Sequence, residues 1–239
     1  MSHAIYLPEA RLQVALRTAT RLLPLVARPK TRRIFMNYKY YIWDIGGTLF
    51  DTLSTSVRAF QQTLAIFQLS ASDEAIYEQL KKTSTGEAAK FFVGNLAEDF
   101  LQKYHEIERP MQENPLSFQD TAEVLKSVVE KGGKNYIISH RDLQVVDFLE
   151  NAHLIEYFSY VITSNDHFAR KPNPESVDYL VDRFGVEREK ALMIGDRELD
   201  ILAAKNANVK AVLFSPDGFL QVPEADFTVK SLSEVLKIE

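Results

Sequence analysis

No cysteine occurs in the 239 residues. That absence removes a disulfide framework, a thiolate zinc site and a cysteine nucleophile from consideration, and it fits a reducing, cytoplasmic setting. No apolar run approaches the ~18 residues needed to cross a bilayer, and no internal repeat or low-complexity tract interrupts the chain. Basic residues are outnumbered by acidic ones outside the first segment. With a net charge of −5 overall, residues 1–36 hold Arg11, Arg17, Arg21, Arg28, Lys30, Arg32 and Arg33 against Glu9 alone, so that segment carries +6 and the remainder −11. An acidic body argues against a general nucleic-acid or membrane surface and leaves room only for a local basic site for phosphate.

Within residues 1–36, Leu and Val alternate with arginine as in a basic amphipathic helix, but Pro24 and Pro29 would interrupt it, and Arg17 and Arg21 break the apolar core that a secretory signal requires. The segment also has the arginine-rich, acid-poor character of a transit peptide or surface-binding arm. The preferred reading is a disordered extension without a catalytic role.

The first strand signal is Tyr40-Tyr41-Ile42-Trp43, which breaks at Asp44-Ile45-Gly46-Gly47-Thr48. A buried strand would thereby deliver Asp44 into a tight loop whose glycines let the backbone approach a ligand. Residues 52–115 read as helical, with expected helices over 54–67, 73–82 and 86–108, capping starts at Ser72 and Ser84, and Pro110 and Pro115 marking the return to the core. An all-helical insertion at this point reads as a cap or lid. Strands and helices then alternate: helix 120–131 stops at Gly132-Gly133, and strands are expected over 134–139, 160–163, 191–195, 209–214 and 227–229. Helices over 142–151, 174–184 and 198–207 lie between them, and a closing helix starts at Ser231. Such alternation predicts an α/β, doubly wound parallel sheet, with a core of 37–51 and 116–239 and a helical domain of 52–115.

The strand ends of this reading carry polar signatures: Asp44; Ser139-His140-Arg141; Arg170-Lys171-Pro172-Asn173-Pro174; and Gly195-Asp196-Arg197-Glu198-Leu199-Asp200. A carboxylate nucleophile, a hydroxyl, a lysine and further carboxylates at one sheet edge are what Mg²⁺-assisted phosphoryl transfer through an aspartyl phosphate requires.

In order and spacing these stretches resemble the four motifs of the haloacid dehalogenase superfamily, in its helically capped subgroup, and the layout is most similar to the phosphoglycolate phosphatases. The resemblance implies that Asp44 is the nucleophile and a metal ligand, that Thr48 and Ser139 bind the phosphoryl group beside His140, and that Lys171 neutralises nucleophile and intermediate. It further implies that Asp196 binds Mg²⁺, with the Gly46 carbonyl as another ligand, and that Asp200 supports the metal site. The implied function is a Mg²⁺-dependent phosphatase acting on a small phosphorylated substrate, as a monomer or weak homodimer without nucleic-acid or membrane partners.

The sequence departs from the phosphatase pattern at one position. Where those enzymes carry a second aspartate, the general acid and base, this chain has Gly46. Glycine can offer a carbonyl to a metal but cannot donate a proton. The substrate could have a good leaving group, such as an acyl or aryl phosphate; His140 could supply the proton; or the protein could bind a phosphorylated ligand with little turnover. Carbon–phosphorus and carbon–halogen hydrolases of the superfamily also lack that aspartate, and the former use a cap lysine as a Schiff base. Lys81, Lys82 and Lys90 lie in the helical segment here, where the preferred reading is solvated helix charge. Dehalogenation is disfavoured by Asp196 and the glycine-rich first motif. Selectivity is expected from residues 83–90.

Overall fold

A computed structural model describes residues 37–239; the expected disordered extension lies outside the described residues. Six strands, β1 (Tyr40–Trp43), β2 (Lys134–Ile138), β3 (Phe158–Ile162), β4 (Ala191–Gly195), β5 (Lys210–Phe214) and β6 (Phe227–Val229), form one parallel sheet in the order β3-β2-β1-β4-β5-β6. Strand β1 is central, with Trp43 opposite Ile137 on one side and Ile194 on the other. The chain runs outward through β2 and β3, then returns to β1 to lay down β4. The order therefore reverses between β1 and β4, the kind of crevice in which open α/β sheets place their ligands.

Side chains alternate across β1 because the strand repeat is two. Tyr41 and Trp43 enter the core on one face with Ile137, Ile194 and Val212; Ile42 enters the other with Tyr136, Ile138 and Met193. The expected helices follow the strands. Thr121–Glu130 and Gln144–Asn151 cover the first face through Val124, Leu125, Val145 and Phe148, and Glu175–Phe184 and Glu198–Asn206 cover the second through Val177, Leu180, Ile201 and Ala204. The chain end differs from expectation: Leu232–Lys237 is a 3₁₀ segment, pinned by Leu232 and Val235 in the core.

Between β1 and Thr121 stand four helices, α1 (Leu53–Ile66), α2 (Asp73–Lys82), α3 (Thr85–Val93) and α4 (Ala97–Met111). They enclose a cluster of their own, in which Phe60 packs on Phe100 at 4.6 Å between centroids, with Leu64, Ile76, Leu80 and Tyr104 around them. Ser72 caps α2 by accepting from Ala75 N–H at 3.2 Å, and Ser84 caps α3 from Glu87 N–H at 3.1 Å. Two expectations are corrected. The single helix over 86–108 is two, because Gly94 adopts φ +57° and breaks the run. Pro110 does not end the last helix: it sits in the final turn of α4, and the chain rejoins the core at Leu116, whose carbonyl accepts from Asp51 N–H at 2.8 Å.

Candidate active site

Asp44 leaves β1 with its N–H on Ile194 O at 2.9 Å, so the sheet ladder itself aims it. The loop then tightens: Leu49 and Phe50 both donate to Ile45 O, at 2.9 and 3.0 Å. Gly47 has φ +83°, and a Cβ there would stand 2.2 Å from Asp196 Oδ2; a Cβ on Gly195 would stand 2.2 Å from Asp200 Cβ. Only glycine at these two positions lets the carboxylates crowd the crevice.

Asp44, Asp196 and Asp200 are all buried, and each offers an oxygen within 4.8 Å of the others. Such a cluster needs cations, since an unpaired buried charge is costly. Lys171 supplies the first. Its Nζ lies 2.6 Å from Asp44 Oδ1 and 2.5 Å from Asp200 Oδ1, and donates to Ile138 O at 3.2 Å. Burial works against the Lys171 charge, but the Asp200 and Asp44 carboxylates prevail and hold its pKa above the ordinary lysine value. Burial lifts Asp44 to about 6 against the pull of Lys171, which leaves it ionised at neutral pH.

Lys81 supplies the second cation, and here the expectation of a solvated helix charge is overturned. Lys82 and Lys90 are exposed, with side chains 49% and 65% accessible, whereas Lys81 is 4% accessible and donates to Asp196 Oδ2 at 2.7 Å. Helix α2 lies over the sheet edge, so the position after Leu80 turns inward to the carboxylates.

A cavity of about 370 Å³ opens in front of this cluster, lined among others by Asp44, Gly46, Ser139, His140 and Asp196. Thr48, Lys171 and Asp200 stand behind it: Thr48 is fully buried, its hydroxyl 3.5 Å from Asp196 Oδ1. Ser139 Oγ accepts from Arg141 N–H at 3.1 Å. Ser84 and Thr85, from the stretch expected to set selectivity, also line the cavity.

His140 does not suit the role of substitute proton donor. Burial, with the charges of Lys171, Arg170 and Arg197 around it, pushes its pKa down to about 2, and Nε2 accepts the Lys171 N–H at 2.8 Å. A neutral, acceptor-bound imidazole holds the Lys171 loop in place.

The residues suit a hard divalent cation. The donors are carboxylate oxygens, and Asp44 Oδ2 is buried without a hydrogen-bond partner, an orphan that a metal or phosphorus atom would satisfy.

Sequence reasoning overlooked the residues that line the rest of the cavity. Arg109, Arg141, Arg170 and Arg197 face it, and Glu108 on α4 holds Arg141 with Oε1 2.8 Å from the guanidinium Nη2. Arg141 was visible after Ser139-His140. Glu108, inside a polar helix, gave no signal.

A doubly wound sheet whose switch point gathers carboxylates, a buried lysine and an arginine-lined cavity places a charged, crevice-type site in an α/β protein. The chain belongs to the haloacid dehalogenase-like hydrolase family, whose model matches residues 41–214. It is 29% identical to a phosphoglycolate phosphatase of Aquifex aeolicus, over 82% of this chain and 94% of that protein, and 24% identical to the pyrophosphatase PpaX of Bacillus cereus, over 85% and 97%. The crystal structure of a hydrolase from Streptococcus pneumoniae TIGR4 is similar at 38% identity with a TM-score of 0.61, covering 85% of this chain and all of that one. The protein is an enzyme, and relatives it matches are named phosphatases. No helix among the described residues is long and apolar enough to cross a membrane.

Proposed function

We propose that the protein is a Mg²⁺-dependent phosphatase of small phosphorylated metabolites that works through a phosphorylated Asp44. The observation that carries this reading is the state of Asp44, a residue of the cavity wall: one oxygen is held by Lys171 at 2.6 Å and the other is buried without a hydrogen-bond partner. Such a carboxylate is oriented and ionised, with one oxygen free to attack phosphorus. Asp44, Asp196 and the Gly46 carbonyl would hold the ion, which when bound screens carboxylate from phosphate and polarises the phosphoryl oxygens.

Lys171 holds the attacking carboxylate in place and offsets its charge, and Asp200 fixes Lys171 from the other side. Ser139, at the end of β2, would donate its hydroxyl to a phosphoryl oxygen. His140 keeps the Lys171 backbone in register. Helices α1–α4 act in this reading as a cap that excludes water from the cavity. The names of the relatives favour a compact, multiply charged substrate, and the cavity arginines suit one. The other chemistry considered, a cap lysine as Schiff base, is less favoured, because the Lys81 ammonium is engaged by Asp196. The absence of cysteine supports a cytoplasmic setting.

The test is a screen of phosphorylated metabolites with Mg²⁺, wild type beside Asp44→Asn. The variant is nearly isosteric, so its fold and melting temperature should hold while phosphate release falls by at least ~10³-fold. Phosphate release at the native rate by the variant would eliminate the proposed nucleophile.

A further inference from the structure

Gly46 leaves a place close to Asp44 in the chain, and two side chains border it. Extending the missing side chain from the Gly46 backbone leads to Thr52 Oγ1 at 2.8 Å and Arg141 Nε at 3.6 Å. Gly46, unlike Gly47, is not in the left-handed region, so a Cβ there is limited by Thr52 Oγ1, while the Arg141 guanidinium borders the same space at ordinary contact distance.

Arg141 is fixed at both ends. Its N–H is on Ser139 Oγ at 3.1 Å and its carbonyl accepts from Ser164 N–H at 2.8 Å. Its guanidinium meets Glu108 through Nη2 at 2.8 Å and Nη1 at 3.4 Å. Glu108 is itself buried and accepts from Ser56 Oγ at 3.2 Å. A surface salt bridge would leave such a side chain mobile; this one is pre-set at the wall of the cavity that holds Asp44.

We infer that Arg141, positioned by Glu108, is the leaving-group ligand of the reaction. The inference rests on Asp44 as nucleophile and deepens that reading. As the Asp44 oxygen bonds to phosphorus, the bond from phosphorus to the leaving oxygen breaks and its electron pair stays on that oxygen. Arg141 donates a hydrogen bond to the departing anion. No proton is transferred, because a guanidinium does not release one in this pH range. The substrate class follows: phosphate compounds whose leaving oxygen is stable as an anion, namely acyl phosphates, phosphoanhydrides and esters of acidic hydroxyls. A fixed donor aimed at developing charge is worth about 10²- to 10³-fold in rate.

The test is a series of aryl phosphates of rising leaving-group basicity, from 4-nitrophenyl to phenyl, assayed with Mg²⁺. Wild type, Asp44→Asn, Arg141→Met, Arg141→Lys and the double variant Arg141→Met with Glu108→Gln are compared. The double variant removes both charges, so no buried carboxylate is left alone if Arg141→Met folds poorly. Arg141→Met and the double variant should lose about 10²-fold in kcat on phenyl phosphate and far less on 4-nitrophenyl phosphate, so the dependence on leaving-group pKa steepens. Arg141→Lys should fall between. A uniform loss across the series, or an effect on KM alone, would overturn the role of Arg141 and leave Asp44 standing. Absence of any wild-type phosphate release that Asp44→Asn abolishes would overturn both.

Discussion

Two lysines reach the same carboxylates from different parts of the molecule, and their surroundings differ in kind. Lys171 belongs to the sheet core: Asp44, Asp200 and the Ile138 carbonyl that surround it stand at the ends of β1 and β2 or at the start of the helix after β4, and the sheet core fixes all three. Lys81 belongs to α2, whose apolar residues pack within the separate cluster of α1–α4. It reaches Asp196 only while that cluster is seated on the sheet edge, and Tyr77, hydrogen-bonded to Asp217, helps to seat it. One cation is thus built into the fold, and the other is supplied by docking. Arg197 Nε, 4.0 Å from Asp196 Oδ1, is a weaker counter-charge from the core, so charge balance is permanent around Asp44 and partly conditional around Asp196.

The sharpest way to break this contrast is Lys171→Met. Removing a cation shared by two buried carboxylates should cost about 3–5 kcal/mol of stability, read by urea unfolding, and saturating Mg²⁺ should not restore it. Lys81→Met should cost less, about 1–3 kcal/mol, because among the described residues it forms an ion pair with one carboxylate, Asp196, and saturating Mg²⁺ should recover most of that loss. Calorimetric titration should also find tighter Mg²⁺ binding in Lys81→Met than in wild type, since the metal no longer competes with an ammonium for Asp196. Equal recovery of both variants by Mg²⁺ would show that the two lysines are equivalent. The smallest effect belongs to Tyr77→Phe, which removes one half-exposed hydrogen bond: below about 1 kcal/mol in stability, but with a rise in KM as α2 loosens. A change in kcat without one in KM would show that the contact does not control docking.

These same features mark what the sequence could and could not convey. Asp44 and Asp196 were legible because each ends an apolar run of strand type, and α2 was legible to the residue because Ser72 caps it and Lys81 and Lys82 close it. Which of those two lysines turns inward was not. The answer depends on where α2 sits over the sheet, a tertiary fact that residue spacing along one helix does not contain. Glu108 and Arg141 lie 33 positions apart and meet only because α4 returns the chain beside the end of β2. His140 read as a titratable group at neutral pH. Its neutrality arises first from burial and then from three cations near it, Lys171 and Arg170 from the loop after β3 and Arg197 from the end of β4, none of which can be read from residue spacing. The split at Gly94 was open to sequence reasoning, since a glycine in a helical run is a stop signal that the surrounding periodicity concealed.

Trp43 is the only tryptophan in the chain; it is fully buried, its indole N–H is on Asn135 Oδ1 at 3.0 Å, and it is the residue before Asp44. A lone indole in a fixed, dry environment with its one polar group satisfied gives the protein a single-site optical reporter at the centre of its sheet. Emission excited selectively from that ring comes from one place, so solvent entering the end of β1 during unfolding can be followed without a label.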